Sequence, residues 1–525
     1  MNTRLRYKFF ALLCVVGLAT WLWGTNYPFV GIYNANNNYL MLAAKNYMRF
    51  GFTKLGFLPT YFAGASLPTP IPYYLHHPTL IFPLSTLPFI LFGFQNWVVH
   101  VTNLIFLLAD VLLLYKIGEL VWNKKVALWT AGLAMIFPMT GFFWKYIFFE
   151  QGSLCFNLLT LYFFIRYVKE QKIRHLLFIF IFSVLSGLMD WGVLYLFVPL
   201  LIFFSLPDKR HTFRAFAVYV AGMTVGLSVF IAQVYFVRGG FTDVLQAIHI
   251  RAVADELISL SFWPLRLGAI TLIRTFLYFT PFACVAAWFV HRQLWNKLFT
   301  LQKQTLLFFL IFGLMNVIVL PTATWGHSYF LFYLIPYFSY IGALWFVTHE
   351  YREKRIFAWV LFIILVSVSV NYLKLQQVTK QFWKYDAAVS FSAGIAPYET
   401  VGTVNFPGDV LENYHLHPTQ PMGPSEFTLW LMGEKYQAIS QTVFACEGTC
   451  TTSELLSVVQ FKKLAEVADF QSGNNTAWLV TKGGDLTGES STERVSGSTT
   501  AVTKPTSPFM KIYRLIRDTL NVGQI

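Results

Sequence analysis

Charge is what this sequence has least of. Asp, Glu, Lys and Arg together make up 12% of its 525 residues, where a soluble domain carries about 25%. That shortage, beside a hydrophobic fraction of 56%, excludes a soluble enzyme with a large core. Cysteine is scarce too: five residues do not make a disulfide framework. Cys14, Cys155 and Cys284 fall inside apolar runs and read as inert thiols. Cys446 and Cys450 lie close together in a polar stretch and could pair outside the cell, but a metal site needs more ligands than these two. No small-residue cleavage site follows the first apolar run, so that run reads as a retained helix rather than a removed leader. No internal repeat is evident. Asp and Glu are missing from the whole stretch between Thr25 and Trp97.

What is present is apolar helix. Aromatic residues reach 18%, with 54 Phe, a load that suits lipid-facing helices and interfacial belts. A span needs about 20 apolar residues. The runs predict spans near 9–23, 97–121, 126–143, 150–168, 175–189, 191–206, 213–236, 264–290, 304–320, 328–347 and 356–373, about eleven in all. The formal net charge of +14 would point to nucleic acid in a soluble protein. Here the basic residues cluster in alternate short loops (Lys124 and Lys125; Arg166, Lys169, Lys172 and Arg174; Lys209, Arg210 and Arg214; Arg352, Lys354 and Arg355). That is the positive-inside pattern, so no nucleic acid partner is expected.

The expected architecture is an α-helical polytopic membrane protein of the cell membrane with its N-terminus cytoplasmic. Its membrane domain covers residues 1–373, with an outer loop at 25–96. Within that loop, Tyr39 to Phe50 has the one-sided apolar pattern of a helix lying in the interface, and Ile81 to Phe94 is too short to span. The tail, 374–525, turns to Gly, Ser, Thr, Pro and charge and reads as a small extracytoplasmic α/β domain. Strands are predicted at 401–406, 476–480 and 509–515 and a helix at 453–470.

This topology gathers the unusual polar residues on one rim. They are Asn34, Asn36, Asn37 and Asn38; Tyr74, His76 and His77; Lys145 and Glu150; Asp190; the charged loop 237–263 with Arg251; and His327. Ionisable groups at span edges mark function more often than chance. Each also has a bland reading. Glu150 opens a span, where the helix dipole favours a carboxylate. Asp190 lies between two apolar runs, where it could cap the following helix. Asp110 lies deeper and reads as paired with a polar neighbour.

The phrases Tyr73-Tyr74-Leu75-His76-His77-Pro78, Leu91-Phe92-Gly93-Phe94-Gln95-Asn96-Trp97, Phe149-Glu150, Met189-Asp190-Trp191 and Gly326-His327-Ser328-Tyr329 occur in this order along the membrane domain. Together they resemble the GT-C membrane glycosyltransferases, nearest the family 39 type that includes protein mannosyltransferases and the lipid A aminoarabinose transferase. The resemblance implies a polyprenyl-phosphate-linked sugar as donor, a lipid, glycan or protein as acceptor, and membrane lipids around both. A carboxylate would take the acceptor's proton and cationic groups would receive the phosphate. The resemblance also places an acidic base in the first outer loop, and here that place is held by asparagines, which cannot take a proton. Glu150 and Asp190 are therefore the expected catalytic residues. Asn36, Asn37, Tyr74, His76, His77, Lys145, Arg251 and His327 are the expected substrate contacts. No residue is assigned to a metal, and a divalent cation is the one cofactor left open. The alternative is a catalytically degenerate relative that binds a lipid-linked glycan or a protein partner. A transporter fits less well, because transporters place polar groups near the midplane and often repeat their halves.

Overall fold

The computed structural model describes residues 3–25, 35–60, 67, 71, 73–93, 95–242, 244–245 and 262–379, and five strand segments after them. The chain divides into two compact units. One comprises Met1–Thr25, Leu75–Pro88 and His100–Lys374, and the other Asn26–Tyr74, Phe89–Val99 and Leu375–Ile525.

The helices α1 (Thr3–Leu22), α2 (Ala35–Phe50), α3 (Ile81–Phe92), α4 (Val101–Val121), α5 (Lys124–Ile136), α6 (Pro138–Phe143), α7 (Phe149–Glu170), α8 (Ile173–Met189), α9 (Phe197–Leu200) and α10 (Lys209–Arg238) follow in order. After them come Trp263–Tyr278, Thr280–Phe289, Thr300–Val319, Pro321–Gly326, Ile335–Thr348 and Glu353–Thr379. Short polar side chains start two of the helices. Asn123 accepts from the Lys125 and Val126 amides at the head of α5, and Asp208 accepts from the His211 amide at the head of α10.

Among the described residues, six helices are long and apolar enough to cross a membrane: Arg4–Leu22, Trp97–Val121, Lys209–Arg238, Thr300–Val319, Ser328–Thr348 and Glu353–Leu375. A seventh arises if Trp263–Tyr278 and Thr280–Lys297, bent by 106° at their junction, count as one. The protein is a multi-pass membrane protein. The count departs from the expected eleven partly because α8, at 17 residues, is short and α7 is not among the helices apolar enough to cross, and partly where proline interrupts an apolar run. Phe137 is extended ahead of Pro138, which splits the expected 126–143 span into α5 and α6. The 191–206 run carries Pro199 and folds as 3-10 turns around α9 rather than as one helix. The bend in the expected 264–290 span lies just before Pro281, at Thr280, whose φ is +67°.

In the first unit α8 packs between α7 and α10. Its contact with α10 is close because small residues face each other. Gly222 and Gly226 of α10 meet Ser183 and Gly187 of α8, and a Cβ on Gly222 would come within 2.6 Å of the Phe180 carbonyl oxygen. In lipid no hydrophobic force drives helices together, so backbone approach of this kind is what holds the pair. This packing fixes the turn after α8, at residues 190–192.

In the second unit α2 takes up the asparagines expected in a loop: Asn36 and Asn37 belong to its first turns. The tail strands are β1 (Tyr398–Val404), β2 (Gln441–Cys446), β3 (Leu464–Ser472), β4 (Asn475–Lys482) and β5 (Val495–Ser496). They form one mixed sheet in the order β1-β2-β4-β3-β5. Strands were expected where β1 and β4 stand. The helix expected over 453–470 is corrected in its second half, where β3 pairs antiparallel with β4 from Leu464↔Lys482 to Ser472↔Asn475. The sequence signal for that hairpin is Gly473-Asn474, a two-residue turn pair between two runs of strand formers. The expected strand at 509–515 and Cys450 lie outside the described residues.

Candidate functional site

The histidine pair sits on a bend that ends at Pro78, just ahead of α3. Two hydrogen bonds tie this segment to the end of α8 and the turn after it. The Leu80 amide donates to the Leu188 carbonyl at 3.0 Å, and Trp191 Nε1 donates to the His76 carbonyl at 3.0 Å. The two motifs are more than 110 residues apart in sequence, as the separation of 115 between Trp191 and His76 records.

Asp190 has an extended backbone, with φ −165° and ψ 166°, and stands at the capping position of the 3-10 turn Trp191–Leu196. Its side chain makes no capping hydrogen bond there. Instead Oδ1 lies 2.8 Å from His77 Nδ1, with the His77 and Asp190 side chains 13% and 8% exposed. The capping role is thus not the one this carboxylate takes. The His77 ring stacks on Phe149 with centroids 4.2 Å apart, and Phe149 meets Phe82 of α3 edge-on at 5.6 Å. Phe149 is the first residue of α7 and the next, Glu150, is buried in the first turn. The exposed amides of that turn favour its negative charge.

His76, His77, Glu150 and Asp190 line one cavity of about 210 Å³. The remaining lining residues are Trp191, Leu194, Tyr195, Met315, Asn316, Val319, Leu320 and Phe330. Two carboxylates and two imidazoles therefore share one pocket whose other lining residues, Asn316 apart, are apolar or aromatic. Among the described lining residues there is no lysine or arginine. Among the described residues, no three His, Cys, Asp or Glu side chains come together as metal ligands would.

Behind the cavity a buried polar network holds the 190–192 turn. Asn157 Nδ2 donates to the Gly192 carbonyl and to Ser153 Oγ, both at 3.2 Å, and Asn157 Oδ1 accepts from Ser186 Oγ at 2.7 Å. Tyr219 of α10 donates to the Val193 carbonyl at 2.6 Å. Gly192 has no room for a side chain: a Cβ there would collide with Ser153 Oγ and come within 2.7 Å of the Tyr333 hydroxyl.

Of the residues expected from sequence, the structure brings together Glu150, Asp190, His76 and His77. Lys145 and His327 are not among the residues lining this cavity. Lys145 is fully buried, and Nζ donates to the carbonyls of Thr20 and Gly141, both at 3.3 Å. Burial pulls its ionisation down to about 7. Its position in a turn beside Glu150 suggested a rim residue, but its side chain turns back among α1 and α6. His327 is exposed, with its ring stacked on Tyr329 at 5.2 Å. Asn36, Asn37 and Tyr74 belong to the second unit, where the Tyr74 amide donates to the Pro59 carbonyl at 2.9 Å. Arg251 lies outside the described residues. Asp110 accepts a hydrogen bond from Gln151 Nε2, the polar pairing expected of it.

Sequence reasoning missed Asn157, Asn316 and Arg274. Asn316 is the polar interruption in the run from Leu306 to Leu320, and an intramembrane polar residue is a signal in itself. It donates to the Phe330 carbonyl at 3.4 Å and so fixes the far wall of the cavity. Arg274 is buried in an apolar helix and donates to the Thr324 and Trp325 carbonyls, at 2.5 and 2.9 Å, holding the turn that leads to His327.

Residues 76–236, which contain all four ionisable cavity residues, match the family described as dolichyl-phosphate-mannose-protein mannosyltransferase. No curated protein sequence matches the chain. Among solved structures the chain is similar to ArnT from Cupriavidus metallidurans. In its apo state the identity is 11% and the TM-score 0.58, with 89% of this chain and 97% of that chain covered. In the structure bound to undecaprenyl phosphate the identity is 12% and the TM-score 0.59, with the same coverage of 89% and 97%. The oligosaccharyltransferase of Archaeoglobus fulgidus, in complex with zinc and sulfate, aligns at 12% identity over 90% of this chain and 72% of that one, with a TM-score of 0.48. The resemblance to the GT-C membrane glycosyltransferases stands, and the ArnT likeness shows that it extends to the fold.

Proposed function

We propose that this chain is a membrane glycosyltransferase that moves a sugar from a polyprenyl-phosphate donor to an acceptor at the cavity lined by His76, His77, Glu150 and Asp190. The observation that carries the reading is the convergence itself. Three segments separated by long stretches of chain place two carboxylates and two imidazoles on one apolar pocket. Such groups are costly at a membrane and are not gathered without use. The family match over 76–236 supports the reading, because it covers these residues. The similarity to a protein crystallised with undecaprenyl phosphate supports the lipid-borne donor.

The chemistry follows from the groups present. An acceptor hydroxyl attacks the anomeric carbon and must lose its proton, and the phosphate leaves with the bonding electrons. Glu150 and Asp190 supply the carboxylates that manage the proton and steady the positive charge developing on the sugar ring. The apolar wall of Leu194, Met315, Val319 and Leu320 suits the lipid-proximal end of the donor and keeps water from the anomeric carbon. Attack from the face opposite the phosphate inverts the anomeric centre. Arg251, Asn36, Asn37 and Tyr74 remain the proposed contacts for phosphate and acceptor. In this reading the N-terminus is cytoplasmic, and the cavity and tail are extracytoplasmic.

The test is turnover by the purified chain in lipid nanodiscs. Undecaprenyl- and dolichyl-phosphate derivatives of mannose, glucose and aminoarabinose are offered with glycan, lipid and peptide acceptors, and free lipid phosphate is measured. Release that depends on protein and acceptor is expected. Saturable donor binding without turnover for every donor would replace this reading with that of a binding protein.

A further inference from the structure

Resting on that reading, we infer that Asn316 is the residue by which this cavity selects its donor sugar. Its side-chain oxygen accepts a hydrogen bond from one ring hydroxyl, away from the reacting carbon. Asn316 is 2% exposed and lines the cavity from the helix Thr300–Val319. It shares that wall with Met315, Val319, Leu320 and Phe330, all apolar or aromatic. Asn316, Val319 and Leu320 stand three and four places apart, the spacing that brings side chains to one face of a helix.

What this asparagine does for the fold leaves its oxygen unused. Nδ2 donates to the Phe330 carbonyl at 3.4 Å, beyond the usual range of about 2.7–3.2 Å for an N–H···O bond. The Thr324 hydroxyl and the Leu320 amide both donate to the backbone carbonyl of Asn316, not to its side chain. Oδ1 takes no hydrogen bond from any described residue. The Phe330 contact also fixes which end of the amide is which, since turning it over would set two carbonyl oxygens face to face. A buried amide oxygen without a donor costs free energy. An asparagine held this way on an apolar wall therefore calls for a donor that arrives with the ligand.

The surroundings say what kind of donor. An ammonium would be drawn to the Glu150 and Asp190 carboxylates rather than to a neutral amide. An anionic group gains nothing from a lone acceptor oxygen. That leaves an uncharged donor, a hydroxyl. At about 210 Å³ the cavity is smaller than the roughly 300–1,000 Å³ of pockets that take drug-sized ligands, and it suits one sugar ring rather than a longer glycan. A ring with its reacting carbon towards the carboxylates turns its other hydroxyls to the remaining walls. There Leu194, Met315, Val319 and Leu320 offer no partner and Asn316 does. A site built to hydrogen-bond a substrate hydroxyl rejects the analogue lacking it, because its own buried group is left unpaired. One neutral hydrogen bond of this kind is worth about 10- to 10²-fold in kcat/KM.

The test uses the full chain in nanodiscs and whichever of the undecaprenyl- or dolichyl-phosphate mannose, glucose and aminoarabinose donors turns over. kcat/KM is measured for that donor and for each of its monodeoxy analogues in turn, with wild type and with Asn316→Ala. Asn316→Leu repeats the comparison with the side-chain volume kept. Wild type is expected to prefer the parent donor over one analogue by about 10- to 10²-fold more than either variant does. The ratios for the other analogues stay as in wild type. Ratios taken within one protein do not depend on how much of it is folded, and comparing them across proteins cancels the effect of a missing hydroxyl on the sugar's own reactivity. An asparagine that only supports the fold lowers all donors alike. Ratios unchanged in both variants therefore overturn the inference and leave the transferase reading standing. If donors bind but none turns over, the transferase reading fails, and the same ratios taken from Kd judge Asn316. A chain that binds none of these donors overturns both.

Discussion

Gly192→Ala should be among the most damaging single-methyl substitutions in the chain, and its cost can be worked from its neighbours. The added Cβ would collide with Ser153 Oγ and lie 2.7 Å from the Tyr333 hydroxyl. Neither can retreat easily. Ser153 Oγ accepts from Asn157, and the Tyr333 ring is wedged between Tyr195 and Phe312, with centroids 6.0 and 5.0 Å away. Overpacking of a tight core costs about 1–3 kcal/mol, and a site bounded on two sides belongs in the upper half. Shifting the Gly192 carbonyl away from Asn157 adds about 1 kcal/mol for a buried hydrogen bond. The sum is about 3 kcal/mol. Ser153→Ala removes the nearer obstacle and so restores part of it, giving a coupling of about 1–2 kcal/mol in the double mutant. The assay is equilibrium unfolding in mixed detergent, followed by tryptophan fluorescence, on the four proteins of the cycle. Because Asp190 shares this turn, a displacement of about 1 Å also costs about 10²-fold in transfer. An alanine variant with the wild-type midpoint and rate would refute the placement of the 190–192 turn, and additive mutations would refute the named contact.

Lys145→Met should leave transfer within about twofold of wild type, because Lys145 is not among the residues lining the cavity; a collapse of turnover would contradict that. The same variant tests linkage. With the folded-state value pulled down to about 7 from 10.5, the folded chain binds fewer protons than the unfolded chain between these limits. Stability therefore rises with pH across that window, by at most about 1.4 kcal/mol per unit, and the rise should vanish in Lys145→Met. At the α7–α8 turn, His175, Arg166 and Lys172 hold the Glu170 carboxyl down at about 2, from 4.5. That support is present above about pH 4.5 and is lost as pH falls towards 2, so a thermal midpoint that drops across this range in wild type should be flatter in Glu170→Gln. Gly222→Leu should part α8 from α10, since even a Cβ would reach 2.6 Å from the Phe180 carbonyl oxygen, and should lower the monodisperse yield in detergent severalfold; normal yield would contradict the close packing.

Much of the helical framework was legible because lipid demands long apolar runs, and α1, α4, α10 and the helix Glu353–Thr379 stand where those runs lie. Breaks were harder to read. The prolines at 138, 199 and 281 sit in runs whose hydropathy alone promised continuous spans. The site was half legible. Topology and spacing selected Glu150, Asp190, His76 and His77 individually, but their pairing depends on how α8 lies against α7 and against α10, where Gly222 and Gly226 allow its close approach. Lys145 is the opposite case. Its place in the sequence beside Glu150 gave no sign that its side chain folds inward onto the Thr20 and Gly141 carbonyls. Asn157 was invisible for a similar reason, since a lone asparagine in a helix does not announce that its amide holds a turn 35 residues away.

The central claim is that the carboxylates on this one cavity carry sugar transfer from a lipid phosphate. Its most direct test is the transfer rate of Glu150→Gln and Asp190→Asn in membranes supplied with the lipid-linked sugar that wild type uses, at matched protein level and with folding verified by gel filtration. The account predicts that each variant loses transfer by at least about 10²-fold while remaining monodisperse. Wild-type rates in both would contradict it.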